Sequence, residues 1–153
     1  MRSVPLVEVW RGDFLESQHY GHVVISNFEG EIIQSWGNPD HVILPRSSCK
    51  ILQALPLITS GAADFFGLTA EQLALCCASH QGAEIHSNTI KTWLSSLGKN
   101  DSDFRCGTQW PRDPAASALM IKADKSPCRF HNNCSGKHSG FLTLGEHLGG
   151  GPE

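Results

Sequence analysis

Residues 21–36, GHVVISNFEGEIIQSW, hold two β-branched runs, 23–26 and 31–36, around Asn27-Phe28-Glu29-Gly30. Two such runs flanking a turn that closes on glycine predict a β-hairpin. The apolar run from Leu6 to Trp10 predicts an earlier strand beside it, and Gly37-Asn38-Pro39-Asp40 breaks the pattern. Further on, the apolar spacing becomes helical. Ser47 or Ser48 predicts the start of a helix with Ile51, Leu52 and Leu55 on one face, which Pro56 should end or kink. Thr69-Ala70-Glu71-Gln72 has the form of a capping box, with Leu68 and Leu73 placed as its hydrophobic staple. Its helix should run to about Ala78 and deliver Ser79-His80-Gln81-Gly82 into a loop. A third helix carries Ile90, Trp93, Leu94 and Leu97 and stops at Gly98. RCGTQWPRDP, residues 105–114, reads as loop, and a short helix follows over 115–122.

Strands first and helices afterwards predict an α+β fold, an antiparallel sheet packed with helices, rather than a doubly wound sheet. The 153 residues suffice for one domain. We expect it over 1–144, with the glycine-rich stretch 145–153 as a tail.

Charge and cysteine usage narrow the class. A net charge of −3 with 12 scattered Lys and Arg argues against nucleic acid or an anionic membrane as partner. Pro5, Glu8 and Arg11 interrupt any apolar leader, and no stretch approaches the roughly 20 apolar residues that span a bilayer. The simplest expectation is a cytoplasmic protein. Six cysteines would suit a disulfide framework in a small secreted chain. Cys76 and Cys77, however, sit inside the apolar run LALCCA, where cysteine acts as a small buried hydrophobe. Reduced thiols are expected.

Three stretches hold the candidate chemistry. LPRSSCK contains Ser47 and Lys50 as S-x-x-K, a spacing that puts amine and hydroxyl on one helix face. A lysine held neutral can serve as base to a serine nucleophile, and free N–H groups at a helix start can stabilise an oxyanion. The same residues also suit an ordinary capped helix start. Ser79-His80 is equally open, between a reactive pair and a helix-end turn. In HNNCSGKHSG, residues 131–140, Cys134 and Lys137 lie one helical turn apart between His131 and His138. With Cys128 the spacing is C-x2-H-x2-C-x3-H, four donors of the kinds that bind zinc, although no C-x2-C knuckle is present.

Together VEVWRGDFLES, GHVVISNFEGEIIQSWGNPD, LPRSSCKILQALP, LALCCASHQG, CGTQWPRDPAA and HNNCSGKHSGFL resemble, in family order from residue 7 to about 142, the rhizobial-type L-asparaginases of the asparaginase II family. The resemblance implies a fold related to serine β-lactamases and glutaminases, of which this chain is the N-terminal portion. It implies hydrolysis of L-asparagine to L-aspartate and ammonia, zinc as cofactor, and a homodimer. It places Ser47 and Lys50 in one Ser–Lys tandem and Ser79 in a second, whose lysine lies farther along in the family. Cys134 and Lys137 become two zinc ligands, with Gly136 permitting a tight turn between them. Arg46 and His80 face the substrate, Arg46 through its α-carboxylate. Ser47, activated by Lys50, would attack the side-chain amide, and Ser79 would either relay a proton or itself be the nucleophile. The second lysine and the third zinc ligand have no match here. Two alternatives remain: a different S-x-x-K acyl hydrolase, and a non-catalytic zinc-binding or interaction module.

Overall fold

The computed structural model describes residues 2–150. The chain divides into two compact units, Met1–Leu44 and Pro45–Glu153.

The first unit is all strand. β1 (Val4–Arg11) pairs antiparallel with β2 (Phe14–Gly21), and β3 (Val23–Ser26) with β4 (Ile32–Trp36). The expected hairpin is β3–β4. Its turn is held by Asn27 Oδ1, which accepts from the amides of Glu29 and Glu31, and by Gly30 at φ +86°. The expectation for the first strand needs correction. It pairs not with that hairpin but with β2, in a separate two-stranded sheet. The reason lies in Gly12, which at φ +60° closes a two-residue turn and sets Arg11 opposite Phe14. Register shifts between Pro5 and Val7 and between Val9 and Trp10 break the alternation that would have marked the pair.

The second unit is helical: α1 (Lys50–Thr59), α2 (Ala62–Phe65), α3 (Ala70–Cys77), α4 (Glu84–Ser96), α5 (Pro114–Lys122) and α6 (Ser135–His147). A 3-10 turn over Arg46–Cys49 leads into α1 without a side-chain cap, so neither Ser47 nor Ser48 starts the helix as expected. Pro56 does not end α1 either. Buried Leu57 anchors the following turn, and the Ser60 amide donates to Pro56 O at 3.1 Å, so the helix runs on to Thr59. The capping box forms as expected: the Gln72 amide donates to Thr69 Oγ1 and the Thr69 amide to Gln72 Oε1. Asp113 caps α5, with Pro114 in its first turn, where the missing N–H costs nothing.

Two apolar clusters meet across α4. One joins Leu57, Ala62, Ala63, Cys76 and Trp93; the other joins Ile90, Leu94 and Phe104. Between the helices lies α6, which packs on α1, α2, α3 and α4 through an unusual buried face of Ser135, Gly136, Ser139, Gly140 and Thr143. The hydroxyls on it are paired along the helix: Ser139 Oγ donates to Ser135 O at 3.0 Å and Thr143 Oγ1 to Ser139 O at 2.9 Å. Polar side chains satisfied in this way can be buried without an orphaned donor. Gly136 therefore does not make a turn. It lies in the first turn of α6, where a Cβ would collide with the Leu75 carbonyl, so its role is to let α6 and α3 touch backbone to backbone. The helix also continues through Gly145, where the glycine-rich tail was expected to begin, and residues 151–153 lie outside the described residues.

Gly136→Ala should separate α6 from α3 and lower unfolding free energy by about 1–3 kcal/mol, the usual cost of overpacking. Urea denaturation followed by circular dichroism reads this directly. An unchanged midpoint would mean that the close approach carries no stability.

Candidate active site

Lys50 opens α1 and is almost fully buried, at 1% exposure. Its side chain crosses to the end of α3 and to the loop before α6. Nζ lies 2.9 Å from Ser79 Oγ, 3.3 Å from Ala78 O and 3.3 Å from Asn133 O. Among the described residues no carboxylate pairs with it. The three contacts are not equivalent. Carbonyl oxygens only accept, so Ala78 and Asn133 take two N–H bonds of the amine. The hydroxyl of Ser79 works in either direction: it accepts from an ammonium and donates to a neutral amine.

The structure thus brings together Lys50 and Ser79. It does not bring Ser47 to Lys50: Ser47 is exposed on the 3-10 turn, and its side chain has no hydrogen bond among the described residues. The oxygens that the amine meets lie on other elements, at Ala78, Ser79 and Asn133. The lysine at hydrogen-bonding distance from Ser79 is therefore Lys50. Arg46 is exposed, holds φ +51°, and its guanidinium has no partner among the described residues. A non-glycine residue held in the left-handed region stores on the order of 1–2 kcal/mol of strain.

His80 is buried, at 7% exposure, and both ring nitrogens are engaged. Nδ1 accepts from the Gly82 amide at 3.1 Å, and Nε2 lies 2.9 Å from Ser135 Oγ. Burial above all, then the charges of His86, Lys50 and His131, hold its pKa at about 4, so the ring is neutral near pH 7. Both ring nitrogens thus face protein groups in this structure.

The second candidate region divides. Cys134 immediately precedes α6, without a side-chain capping bond, and Lys137 lies in the first turn, with Nζ 5.4 Å from the centroid of the Phe141 ring. Cys128 Sγ and His131 Nδ1 approach to 3.2 Å. Among the described residues, however, no three His, Cys, Asp or Glu side chains gather where a cation would sit. Cys134 and Lys137 supply two donors where a structural zinc takes four. These two residues alone do not complete a zinc centre. The six cysteines form no disulfide in this structure. Burial pushes the Cys76 thiol up to about 12, which makes it inert packing.

Sequence reasoning missed three groups of the site. The Ala78 and Asn133 carbonyls are main-chain atoms and leave no sequence signal. Ser135 sits inside the quoted motif, between two residues that drew attention as ligands. Among the described residues, no helix is long and apolar enough to cross a membrane. A family profile described as L-asparaginase II matches residues 7–153. No individual curated protein matches the chain.

The depressed pKa of His80 fixes the sign of one pH effect. Between its ordinary value of 6.5 and about 4 the unfolded chain binds the proton that the folded ring refuses. Stability should therefore be greatest above pH 6.5 and fall by roughly 3 kcal/mol as pH drops through that window, levelling below 4. Chemical denaturation at stepped pH checks it. His80→Gln should lose this slope, and an unaltered slope would assign it to other groups.

Proposed function

Since the chain belongs to the L-asparaginase II family, a family of asparaginase-type amidohydrolases, we propose that it hydrolyses the side-chain amide of L-asparagine to L-aspartate and ammonia with Ser79 as nucleophile and Lys50 as its base. The observation that carries this reading is the 2.9 Å contact between a buried amine without a carboxylate partner and the Ser79 hydroxyl.

A serine hydroxyl attacks an amide only when a base takes its proton as the new bond forms. The proposed mechanism takes Lys50 in its neutral form, in which two N–H bonds go to the Ala78 and Asn133 carbonyls and the lone pair turns to the Ser79 O–H. Oγ adds to the side-chain carbonyl carbon while the proton passes to Nζ. Collapse of the tetrahedral intermediate breaks the C–N bond, and Lys50 returns the proton to the departing nitrogen, so ammonia leaves. Water then attacks the resulting ester with Lys50 again as base, releasing aspartate and restoring the Ser79 hydroxyl. The exposed Arg46 guanidinium suits the α-carboxylate, which it can hold by two parallel N–H donors.

Choosing Ser79 over Ser47 follows from where the amine is. Ser79→Ala and Lys50→Met should each lower ammonia release from L-asparagine more than about a thousandfold, as removal of an activated nucleophile or its base does elsewhere. Methionine fills the volume of the lysine stem and keeps the interior packed. A coupled ammonia assay reads both. Activity that survives Ser79→Ala but not Ser47→Ala would move the attack to Ser47 and leave Ser79 as relay.

A further inference from the structure

Next to the reacting pair lies a buried pair, His80 and Ser135, that the mechanism does not use. Ser135 is fully buried at the first position of α6, and its hydroxyl oxygen lies 2.9 Å from Phe130 O, 2.8 Å from Asn132 O and 2.9 Å from His80 Nε2. Two of those neighbours are carbonyls, which only accept. The single proton of the hydroxyl therefore belongs to them, and toward His80 the oxygen must be the acceptor. The Gly82 amide imposes the complementary condition on the other side of the ring, because an N–H directed at Nδ1 requires a lone pair there. Both conditions select one tautomer, with the proton on Nε2 and none on Nδ1.

We infer that Ser135 is a positioning residue, which fixes His80 in the Nε2–H tautomer and through it holds the neighbouring Ser79 hydroxyl against Lys50. The connection is short. The His80 amide donates to Asn133 O at 3.2 Å, the same carbonyl that accepts from Lys50 Nζ. The His80 ring meanwhile ties the 79–82 loop to the start of α6 through Ser135 and closes it on Gly82. With His80 pinned at its amide and at both ring nitrogens, the residue before it has little freedom to turn away. The His86 ring stacks on the other side, 5.1 Å between centroids and 30° between planes, and limits ring rotation.

The catalytic consequence rests on the proposed function; the tautomer does not, and the experiment separates them. Nitrogen-15 NMR of the full chain at pH 7, with histidine labelled in the ring, should show His80 with a pyrrole-type Nε2 and a pyridine-type Nδ1. Ser135→Ala should shift the Nε2 resonance, because that N–H loses its acceptor while the Gly82 amide still faces Nδ1, and Ser135→Thr, which keeps the hydroxyl, should leave it in place. In the ammonia assay Ser135→Ala should lower kcat about 10–100-fold, the scale of a misplaced reacting group, with KM changed less than about twofold. Ser135→Thr should recover most of the loss. An Nδ1–H tautomer or a charged ring in the parent chain would overturn the inference even if Ser135→Ala failed to fold. So would a Ser135→Ala chain that raised KM at constant kcat, since His80 would then be acting on substrate. A parent chain with the stated tautomer and no turnover of L-asparagine would overturn the amidase reading while the role of Ser135 toward His80 stood.

Discussion

A primary amine withdrawn from water must find acceptors for its N–H bonds, and Lys50 finds them on parts of the chain 28 to 83 residues away. Burying such a group without partners costs several kcal/mol, so the three oxygens around Nζ are a condition for the helical unit to close in this form. The condition also creates the chemistry. Two carbonyls hold the amine by its protons and leave its remaining direction on one hydroxyl. What fixes the fold at this point is the same set of contacts that the proposed mechanism uses as base and nucleophile.

The remaining architecture of the unit serves that convergence. α3 must end where Ala78 and Ser79 face α1, and its capping box at Thr69 sets the start from which it ends there. The loop before α6 must present the Asn133 carbonyl, and it is held from outside: Gln109 Oε1 accepts from the Asn133 amide and Asn132 Nδ2 donates to Gly107 O. α6 must then approach α3 with no side chain between them, which Gly136 allows. Its hydroxyl-bearing face replaces bulk with internal hydrogen bonds, so the helices come closer than a leucine seam would permit. Close approach of backbones and exact hydrogen-bond direction are linked here, because a shift of α6 would carry Asn133 and Ser135 with it.

Much of this was legible in the chain. The β3–β4 hairpin, the capping box and the core positions Ile90, Trp93 and Leu94 follow local rules, a turn residue, a reciprocal cap and a helical period, and all three formed. The first hairpin was less visible because its register shifts disturb the period of two, although Gly12-Asp13 between two apolar runs was a signal for it. Lys50, Ser79 and His80 were all recognisable as candidates. Their pairing was not, because S-x-x-K spacing describes one helix face while the buried acceptors come from α3 and from the loop before α6. Main-chain carbonyls carry no residue identity, so Ala78 and Asn133 were beyond any reading of side chains. His80 was expected to face the substrate, and nothing in the sequence marks the two protein groups that its ring nitrogens meet.

The most direct test of the account is to trap the acyl-enzyme. The full chain mixed with L-asparagine, quenched in acid and digested, should yield by mass spectrometry an aspartyl ester on the peptide bearing Ser79, lost in Ser79→Ala and absent when Lys50 is methionine. An ester on the Ser47 peptide, or turnover of L-asparagine by the Lys50→Met chain at the parent rate, would contradict it.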